Sequence, residues 1–416
     1  MIAVVGCGRV GLPLALCLAA RGHRVLGVDT DARIRDAVRG GRLPFPDRFA
    51  APLLDETLGR TFDITGDLGR AAVECQTFII ALGTPLDSSL LPEQSALREV
   101  VARILGGTLG QGPTPPFIAV RSTLVPGGTN GLIRMARRRW DAVPGKDFLI
   151  AYCPERSLEG ASHELLELPQ IVGAEDERSR EAARRVFGPL GVELVFTGIL
   201  EAELGKLFNN AHRYVNFALS NEFLMIAMNL GASGHEAIRV ANEGYPRGGI
   251  PSCGYAAGPC LSKDGFFLTQ SLPTPELLLT AWRLNESLPL YFVEQVEKVR
   301  PISSPVVLGL AFKADSDDPR NSLGLKLMGL LRMRGLDPVA HDPLVAVPGS
   351  TSDLPGALRG AREVFVAVPH KEYRALTWDE LGRLAAPGAV IADPWLVWGQ
   401  GRPVFQLGPQ EETRRS

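Results

Sequence analysis

The stretch Ile2–Gly11, IAVVGCGRVG, carries the strongest indication of fold class in this 416-residue chain. Four apolar residues typical of a buried strand come first, three glycines in G-x-G-x-x-G spacing follow, and the helical pattern LPLALCLAARG comes next. In such a strand-turn-helix unit the glycines permit a tight turn, close approach of a pyrophosphate to the backbone, and close helix packing. The residues that we expect to contact a dinucleotide here are Gly6, Gly8, Arg9, Val10 and Gly11.

The next strand pattern, HRVLGVD, ends at Asp29, 18 residues after Gly11. A carboxylate at this place can accept hydrogen bonds from a ribose diol and would repel a 2′-phosphate, so the sequence favours NAD over NADP. Two later loops follow strand patterns at the same predicted edge of the sheet, and their candidate cofactor contacts are Thr84, Pro85, Ser122 and Thr123. Taken alone, such a loop is more often an ordinary turn or helix cap.

Outward from this unit, the chain divides into three parts. Short β-branched runs alternate with amphipathic stretches over the first 195 residues, about thirty residues after Leu200 then follow one helical period, and strand patterns return from Ser304 onward. We therefore predict an α/β protein with two Rossmann-like doubly wound domains joined by a long central helix. The expected domains are 1–198 for NAD, 199–300 for a central helical dimerisation domain and 301–416 for a second α/β domain.

The composition excludes several classes of function. Lys and Arg number 44 against 46 Asp and Glu, so the basic excess that nucleic-acid binding requires is missing. No apolar run reaches the roughly 20 residues of a membrane span. The six cysteines contain no C-x-x-C pair and the six histidines show no metal-binding spacing, so we expect no metal site, no disulfide framework and a cytoplasmic location.

One cysteine stands out. Cys260 follows Gly-Pro and precedes the helical run LSKDGFFLTQSL, so its sulfur is expected at a helix N-terminus beside Lys263. The helix dipole and the ammonium group would both favour the nucleophilic thiolate. A buried, inert cysteine is the plain alternative.

Two further positions carry polar groups that suit catalysis. Lys206 and Asn210 are four apart on the long helix and therefore share one face, where two donors can stabilise an oxyanion; a solvated Lys and Asn pair is the alternative. Glu155 follows the strand pattern LIAY and could act as a general base, although a Pro-Glu turn at a helix start would look the same.

Seven collinear motifs now resemble those of one enzyme family: GCGRVGL, GTPLD, STLVPGGT, YCPERSLEG, ELGKLFNN, GPCLSKD and GLAFKADSDDPRNS. They are similar to the nucleotide-sugar 6-dehydrogenases that act on UDP-glucose and UDP-N-acetylmannosamine. The resemblance implies an NAD domain, a homodimer built through the central helix, and a C-terminal domain that holds UDP. It also implies a double oxidation of a sugar C6 alcohol, in which Cys260 carries a thiohemiacetal and then a thioester.

The resemblance also assigns roles to the candidate residues. Lys206 and Asn210 match a pair that stabilises alkoxide-like oxygens, and Asp264 matches an acidic group near the catalytic water. Glu155 matches the base of thioester hydrolysis, and Thr123 matches a residue that helps to hold that water. The other residues expected at the cofactor or the substrate are Arg156, Arg247, Lys263, Lys313 and Arg320, of which Arg247 is expected to reach a neighbouring subunit's substrate.

The motifs leave the sugar open. GTPLD, YCPERSLEG and NEGYPR are closer to the N-acetylhexosamine branch, whereas CLSKD is closer to the UDP-glucose enzymes, and residues 252–258, SCGYAAG, lack the glycine-rich pattern of many members. We expect a UDP-N-acetylhexosamine substrate, with UDP-glucose as the alternative. Two further hypotheses remain: a β-hydroxyacid dehydrogenase and a non-catalytic NAD-binding scaffold.

Overall fold

A computed structural model describes residues 1–398 and 401–408. Residues 399–400 and 409–416, which belong to the predicted C-terminal domain, lie outside the described residues. The chain forms two compact units: one contains residues 1–209 and 266–273, and the other contains residues 210–265 and the chain from 274 onward.

The first unit is built on one twisted sheet. Within residues 1–209 its eight strands are β1 Ile2–Val5, β2 Val25–Val28, β3 Phe62–Thr65, β4 Thr77–Ile80, β5 Phe117–Val120, β6 Leu149–Tyr152, β7 Gln170–Gly173 and β8 Leu194–Thr197. Their order is β3-β2-β1-β4-β5-β6-β7-β8, and all neighbours are parallel except β6 and β7. Helices cover both faces, so most of these strands read as continuous apolar runs rather than alternating ones.

Seven helices of the first unit precede the long central one along the described chain. They are α1 Gly11–Ala20, α2 Ala32–Arg39, α3 Ala50–Thr57, α4 Leu68–Glu74, α5 Ser95–Thr108, α6 Gly128–Trp140 and α7 Glu177–Phe187. The strand order reverses at β1, which lies between β2 and β4. In an open α/β sheet a ligand crevice lies at such a reversal, beyond the carboxyl ends of the strands. The glycine turn after β1 therefore occupies the expected place for a nucleotide.

The long helix α8, Ile199–Asn229, has 31 residues and is continuous through the boundary between the two units. Its first turns belong to the first unit and its remainder, from Asn210, to the second. Nowhere in the part of the chain that the structure describes is a helix both long and apolar enough to cross a membrane.

The second unit adds helices and a smaller sheet. Its further helices among the described residues are α9 Gly234–Asn242, α10 Leu261–Thr269 (shared with the first unit), α11 Glu276–Val299, α12 Leu323–Met333, α13 Leu354–Leu358, α14 Lys371–Ala375 and α15 Trp378–Leu384. Its strands are β9 Pro305–Leu308, β10 Val339–His341, β11 Ser350–Thr351, β12 Glu363–Val366, β13 Val390–Ala392 and β14 Val404–Gln406. Their order is β11-β10-β9-β12-β13-β14, and only β14 is antiparallel to its neighbour.

The predicted fold class is confirmed. Each unit carries a doubly wound sheet whose first strand lies at the reversal of strand order, and one long helix follows the first sheet along the chain. The three-domain division at 198 and 300 stays a prediction.

Candidate active site

The glycine turn after β1 has the backbone geometry that its sequence predicts. Gly6 has a φ of +93°, in the left-handed region that favours glycine. A Cβ at Gly11 would lie 1.8 Å from the carbonyl oxygen of Gly6, so no other residue fits where α1 begins. The glycine turn and the first residues of α1 can therefore pack this closely only because Gly11 has no side chain.

The same turn suits a dinucleotide. A Cβ at Gly8 would meet no atom within 4 Å, so the backbone there faces open space that a pyrophosphate can enter. Asp29 lies beside the turn because its carboxylate accepts hydrogen bonds from the backbone N–H groups of Cys7 and Asp31, both at 2.8 Å. These residues fit NAD: the amides at the start of α1 would face its phosphates, and Asp29 its adenosine ribose.

The two other residues of the turn differ in their contacts. Val10 is exposed at the start of α1. The guanidinium of Arg9 lies 3.4 Å from the carboxylate of Glu159 and 5.2 Å from the ring centre of Phe45. Glu159, in the same YCPERSLEG motif as Glu155, was not singled out from the sequence, and its pairing with the turn is a long-range feature that no local spacing reveals.

The two loops after β4 and β5 begin at the same edge of the sheet as the glycine turn. Thr84 is buried and Pro85 is exposed. Ser122 is buried, and both its backbone N–H and its hydroxyl donate to the carbonyl of Ile80, at 3.0 and 3.1 Å. Ser122 therefore joins the ends of two neighbouring strands, whereas Thr123 next to it is only half-buried.

Glu155 lies in a buried network rather than in an open turn. Its Oε2 atom accepts hydrogen bonds from Nε of Arg121 at 3.1 Å and from Nη2 of the same guanidinium. Its Oε1 atom accepts three more, each at 2.7 Å, from the backbone N–H groups of Arg156 and Ser157 and from the Ser157 hydroxyl. Arg121 also donates to Gln170 at 2.8 Å. Five hydrogen bonds thus occupy the carboxylate.

The electrostatics keep Glu155 ionised. Burial raises the pKa of this carboxyl, but the neighbouring Arg121 guanidinium and the hydrogen bonds from Ser157 lower the pKa by more than burial raises it. The net pKa therefore lies below the ordinary value. A deprotonated carboxylate can act as a base only after one of its present hydrogen bonds has broken. The guanidinium of Arg156 donates to the carbonyl of Pro169.

Another buried carboxylate, Glu203 on α8, caps the loop that contains Thr123. Its two oxygens accept hydrogen bonds from the backbone N–H groups of Gly127 at 2.6 Å and of Thr129 at 2.8 Å, at the N-terminus of α6. Glu203 was not among the residues predicted from the sequence. A signal for it was available in the sequence: Glu203 lies four positions before Leu207, so this acidic residue falls on the apolar face of the predicted helix.

Cys260 is the one exposed thiol of the described chain. It immediately precedes α10, and its carbonyl accepts the first helical hydrogen bond, from the N–H of Asp264 at 2.9 Å. The thiol therefore lies at the positive end of the helix. The other five cysteines are buried, and burial raises the pKa of Cys253, for example, to about 11.

Three candidate residues meet beside Cys260 in the second unit. The fully buried carboxylate of Asp264 accepts a hydrogen bond from the side-chain amide of Asn210 at 2.7 Å and pairs with the ammonium of Lys263 at 2.9 Å. A cation and an amide donor thus compensate for the burial of this charge. Lys206 lies one helical turn before Asn210 on α8, within the first unit, and is also buried.

The remaining candidates lie in loops of the second unit. Lys313 has its ammonium 5.7 Å from the ring centre of Phe312. Arg320 is more than half exposed and its guanidinium pairs with the buried Asp318. Arg247 lies in an exposed loop, where its guanidinium packs over the ring of Tyr245 at 4.9 Å. Among the described residues, no group of three or more His, Cys, Asp or Glu side chains is arranged to hold a metal ion.

Three family models match the chain in order. All are described as parts of the UDP-glucose/GDP-mannose dehydrogenase family: the NAD binding domain at residues 1–191, the central domain at 200–287 and the UDP binding domain at 306–400. Together they cover most of the sequence, and they confirm the resemblance that the seven motifs indicated.

Individual relatives agree with these models. A UDP-N-acetyl-D-mannosamine dehydrogenase of Pyrococcus horikoshii is 30% identical over 404 residues, 92% of each chain. An NDP-N-acetyl-D-galactosaminuronic acid dehydrogenase of Ralstonia nicotianae is 33% identical over 432 residues, covering 96% of this chain and 97% of the other. The solved UDP-D-ManNAc dehydrogenase of P. horikoshii superposes with a TM-score of 0.85 over 92% of this chain and 93% of that one. The chain therefore belongs to the UDP-glucose/GDP-mannose dehydrogenase family and is an NAD-dependent nucleotide-sugar dehydrogenase.

Proposed function

We propose that this enzyme oxidises the C6 alcohol of a UDP-N-acetylhexosamine to a carboxylate, and that Cys260 holds the sugar between the two oxidations. The N-acetylhexosamine part is supported by the relatives, which are a UDP-N-acetyl-D-mannosamine dehydrogenase and an NDP-N-acetyl-D-galactosaminuronic acid dehydrogenase. One structural observation carries the mechanism: Cys260 is the exposed thiol at the start of α10, whereas the other cysteines are buried.

The role of Cys260 follows from the chemistry of an aldehyde. NAD, when bound, accepts a hydride from the sugar carbon in each oxidation. A free aldehyde has no tetrahedral carbon from which a second hydride can leave, so a nucleophile must first add to it. The Cys260 sulfur forms that bond as a thiohemiacetal, oxidation converts the adduct to a thioester, and water cleaves the C–S bond. The products are the carboxylate and the restored thiol.

The residues beside Cys260 prepare it for this reaction. Lys263 and Asn210 fix the Asp264 carboxylate from two sides, so the first turn of α10 keeps one geometry while the sulfur forms and breaks its bond. We propose that Asp264 acts near the hydrolytic water and that Lys206 and Asn210 stabilise oxygen charge, as the family resemblance implies. Lys263 is also proposed to contact the cofactor, together with Thr84, Pro85 and Ser122.

The base of thioester hydrolysis is assigned by resemblance to Glu155, with Thr123 proposed to help hold the water and Arg156 proposed to contact the substrate. Five hydrogen bonds already occupy the carboxylate of Glu155. We therefore compare it with a second carboxylate on the same loop, that of Glu159, whose side chain lies beside Arg9. Glu155→Gln and Glu159→Gln should be compared by acid-quench mass spectrometry of Cys260. Accumulation of the thioester only in Glu155→Gln supports the assignment, and accumulation only in Glu159→Gln transfers the role to Glu159.

We further propose a homodimer built through α8. Within the second unit, Leu219, Phe223 and Ile226 are exposed at spacings of four and three residues, which places them along one stripe of the helix, and Leu230, directly after the helix, is exposed as well. A second copy of the chain would cover this stripe, and Arg247 would then serve the neighbouring subunit's substrate. Phe223→Asp should shift the mass in light scattering from dimer to monomer, whereas Val73→Asp, at an exposed position of α4, should not. A monomeric wild-type protein would refute the dimer.

The domain roles complete the proposal. Residues 1–198 would bind NAD, 199–300 would form the dimer and 301–416 would hold UDP, with Lys313 and Arg320 contacting the nucleotide sugar. A cytoplasmic location is proposed because the reactive thiol must stay reduced for every turnover.

The decisive experiment is a spectrophotometric scan for NADH with UDP-ManNAc, UDP-GlcNAc, UDP-GalNAc, UDP-glucose and GDP-mannose, repeated with Cys260→Ala and with the buried-site control Cys253→Ala. We expect two NADH per sugar with an N-acetylhexosamine substrate and no uronate from Cys260→Ala. Activity with UDP-glucose alone would overturn the substrate assignment. Full two-NADH turnover by Cys260→Ala would overturn the mechanism.

A further inference from the structure

The turn that carries Cys260 is closed by hydrogen bonds from a distant loop. The side-chain amide of Asn321 donates to the hydroxyl of Ser262 at 3.0 Å, and that hydroxyl donates to the carbonyl of Gly258 at 2.8 Å. The N–H of Gly258 donates in turn to the carbonyl of Asn321 at 3.4 Å. The three residues form a ring of hydrogen bonds. Cys260 lies midway between two of them, Gly258 and Ser262, in the sequence.

The backbone at both contact points is restricted. Asn321 has a φ of +53°, a left-handed conformation that Asn tolerates better than most residues. Gly258 has a φ of +112°, and a Cβ there would lie 2.6 Å from the ring of Phe312, at the start of the loop that ends at Asn321. The two segments therefore approach each other too closely for either backbone to shift independently.

The loop that supplies Asn321 is itself fixed elsewhere. The backbone N–H of Asp315, which has a φ of +55°, donates to Nδ1 of the buried His370 at 3.0 Å, and Nε2 of that ring lies 3.2 Å from the Asp342 carboxylate. The hydroxyl of Ser322 donates to the carbonyl of Ala311 at 3.1 Å. Asn321 thus extends from an anchored loop and can impose its position on the cysteine turn.

We propose that Asn321 is a positioning residue for Cys260. Through Ser262 and Gly258 it fixes the turn so that the thiol stays at the N-terminus of α10. The same loop carries Lys313 and Arg320, so the residues assigned to the nucleotide sugar and the turn that carries the nucleophile are built as one piece. This inference rests on the proposed function of Cys260.

The test compares Asn321→Gly with Asp141→Gly. Both positions have a φ of +53°, so glycine relieves the same backbone conformation in each, but only Asn321 contacts the cysteine turn. The first readout is the rate at which iodoacetamide alkylates Cys260 at pH 7 in the native protein without substrate, followed by peptide mass spectrometry. The second is kcat and the KM for NAD. Ser262→Ala and the Asn321→Gly/Ser262→Ala double variant complete a cycle.

We expect Asn321→Gly to lower the alkylation rate by about threefold or more, because the thiol leaves the helix N-terminus. We also expect it to lower kcat by about tenfold with the KM for NAD unchanged, and the double variant to lose no more than the worse single one. A smaller effect on alkylation, an equal effect in Asp141→Gly, or alkylation of the five buried cysteines would overturn the inference. Failure of the proposed function would instead appear as absence of NADH with every nucleotide sugar, whatever the alkylation result.

Discussion

Replacing Arg121 with Met should destabilise the first unit by about 3 kcal/mol, because the change leaves the Glu155 carboxylate buried without its cation. The two side chains are 2% and 14% exposed. At the 3.1 Å separation of Nε and Oε2, and with an effective dielectric constant of about 20, their Coulomb attraction is about 5 kcal/mol. Removal of one partner of a buried pair costs about 3–5 kcal/mol. We expect the lower end, because Oε1 keeps its three hydrogen bonds.

The assay is urea unfolding followed by circular dichroism at pH 7 for wild type, Arg121→Met, Glu155→Gln and the double variant. Because the net pKa of Glu155 is lowered in the folded state, the stabilisation by the pair is present at neutral pH and lost as the pH falls through that pKa. The double variant should recover at least about 1 kcal/mol relative to the sum of the single ones. Additive effects, or a loss below about 1 kcal/mol in Arg121→Met, would refute the reasoning. Arg184→Met, at an exposed ion pair, is the control.

Three further predictions concern other sites. Asp29→Ala should raise the KM for NAD by about 10- to 100-fold, the effect of losing a charged hydrogen bond of about 1.5–3 kcal/mol; an unchanged KM would remove Asp29 from the ribose site. Burial raises the pKa of Glu203 above its ordinary value, so this group lowers stability as the pH rises from that ordinary value through the raised one. The unfolding midpoint of Glu203→Gln should therefore fall less with pH, and parallel curves would contradict this. Native protein should release one fast equivalent from a chromogenic disulfide and Cys260→Ala none, since only Cys260 of the six cysteines is exposed; a second fast thiol in the native protein would contradict that burial.

Features set by short spacings were predictable from the sequence. The turn from Gly6 to Gly11 follows from three glycines within six residues, and Asp29 follows from the end of the next strand. The position of Cys260 at a helix start follows from the Gly-Pro before it and the helical run after it. In each case residues close together in the sequence determine the local conformation, so the sequence pattern alone predicts it.

Contacts between distant segments were not predictable in this way. Arg121 and Glu155 are 34 positions apart, Asn210 and Asp264 are 54 apart, and Asn321 and Ser262 are 59 apart. Each pair meets because sheet order and helix packing bring two segments together, and no local pattern encodes that meeting. The sequence shows Glu155 after a strand but not its distant partner Arg121, so it indicated an available base. The structure shows a carboxylate that already accepts five hydrogen bonds.

The path of the chain between the two units has a consequence for biosynthesis. The first unit contains residues 266–273, which are made more than fifty residues after the rest of it, and Phe267 in this return segment is fully buried. A nascent chain that has emerged only as far as residue 209 therefore lacks the last segment of this unit. Folding of that unit on the ribosome cannot finish until translation has passed residue 273, so a gene fragment that ends inside α8 should yield an incomplete, aggregation-prone product.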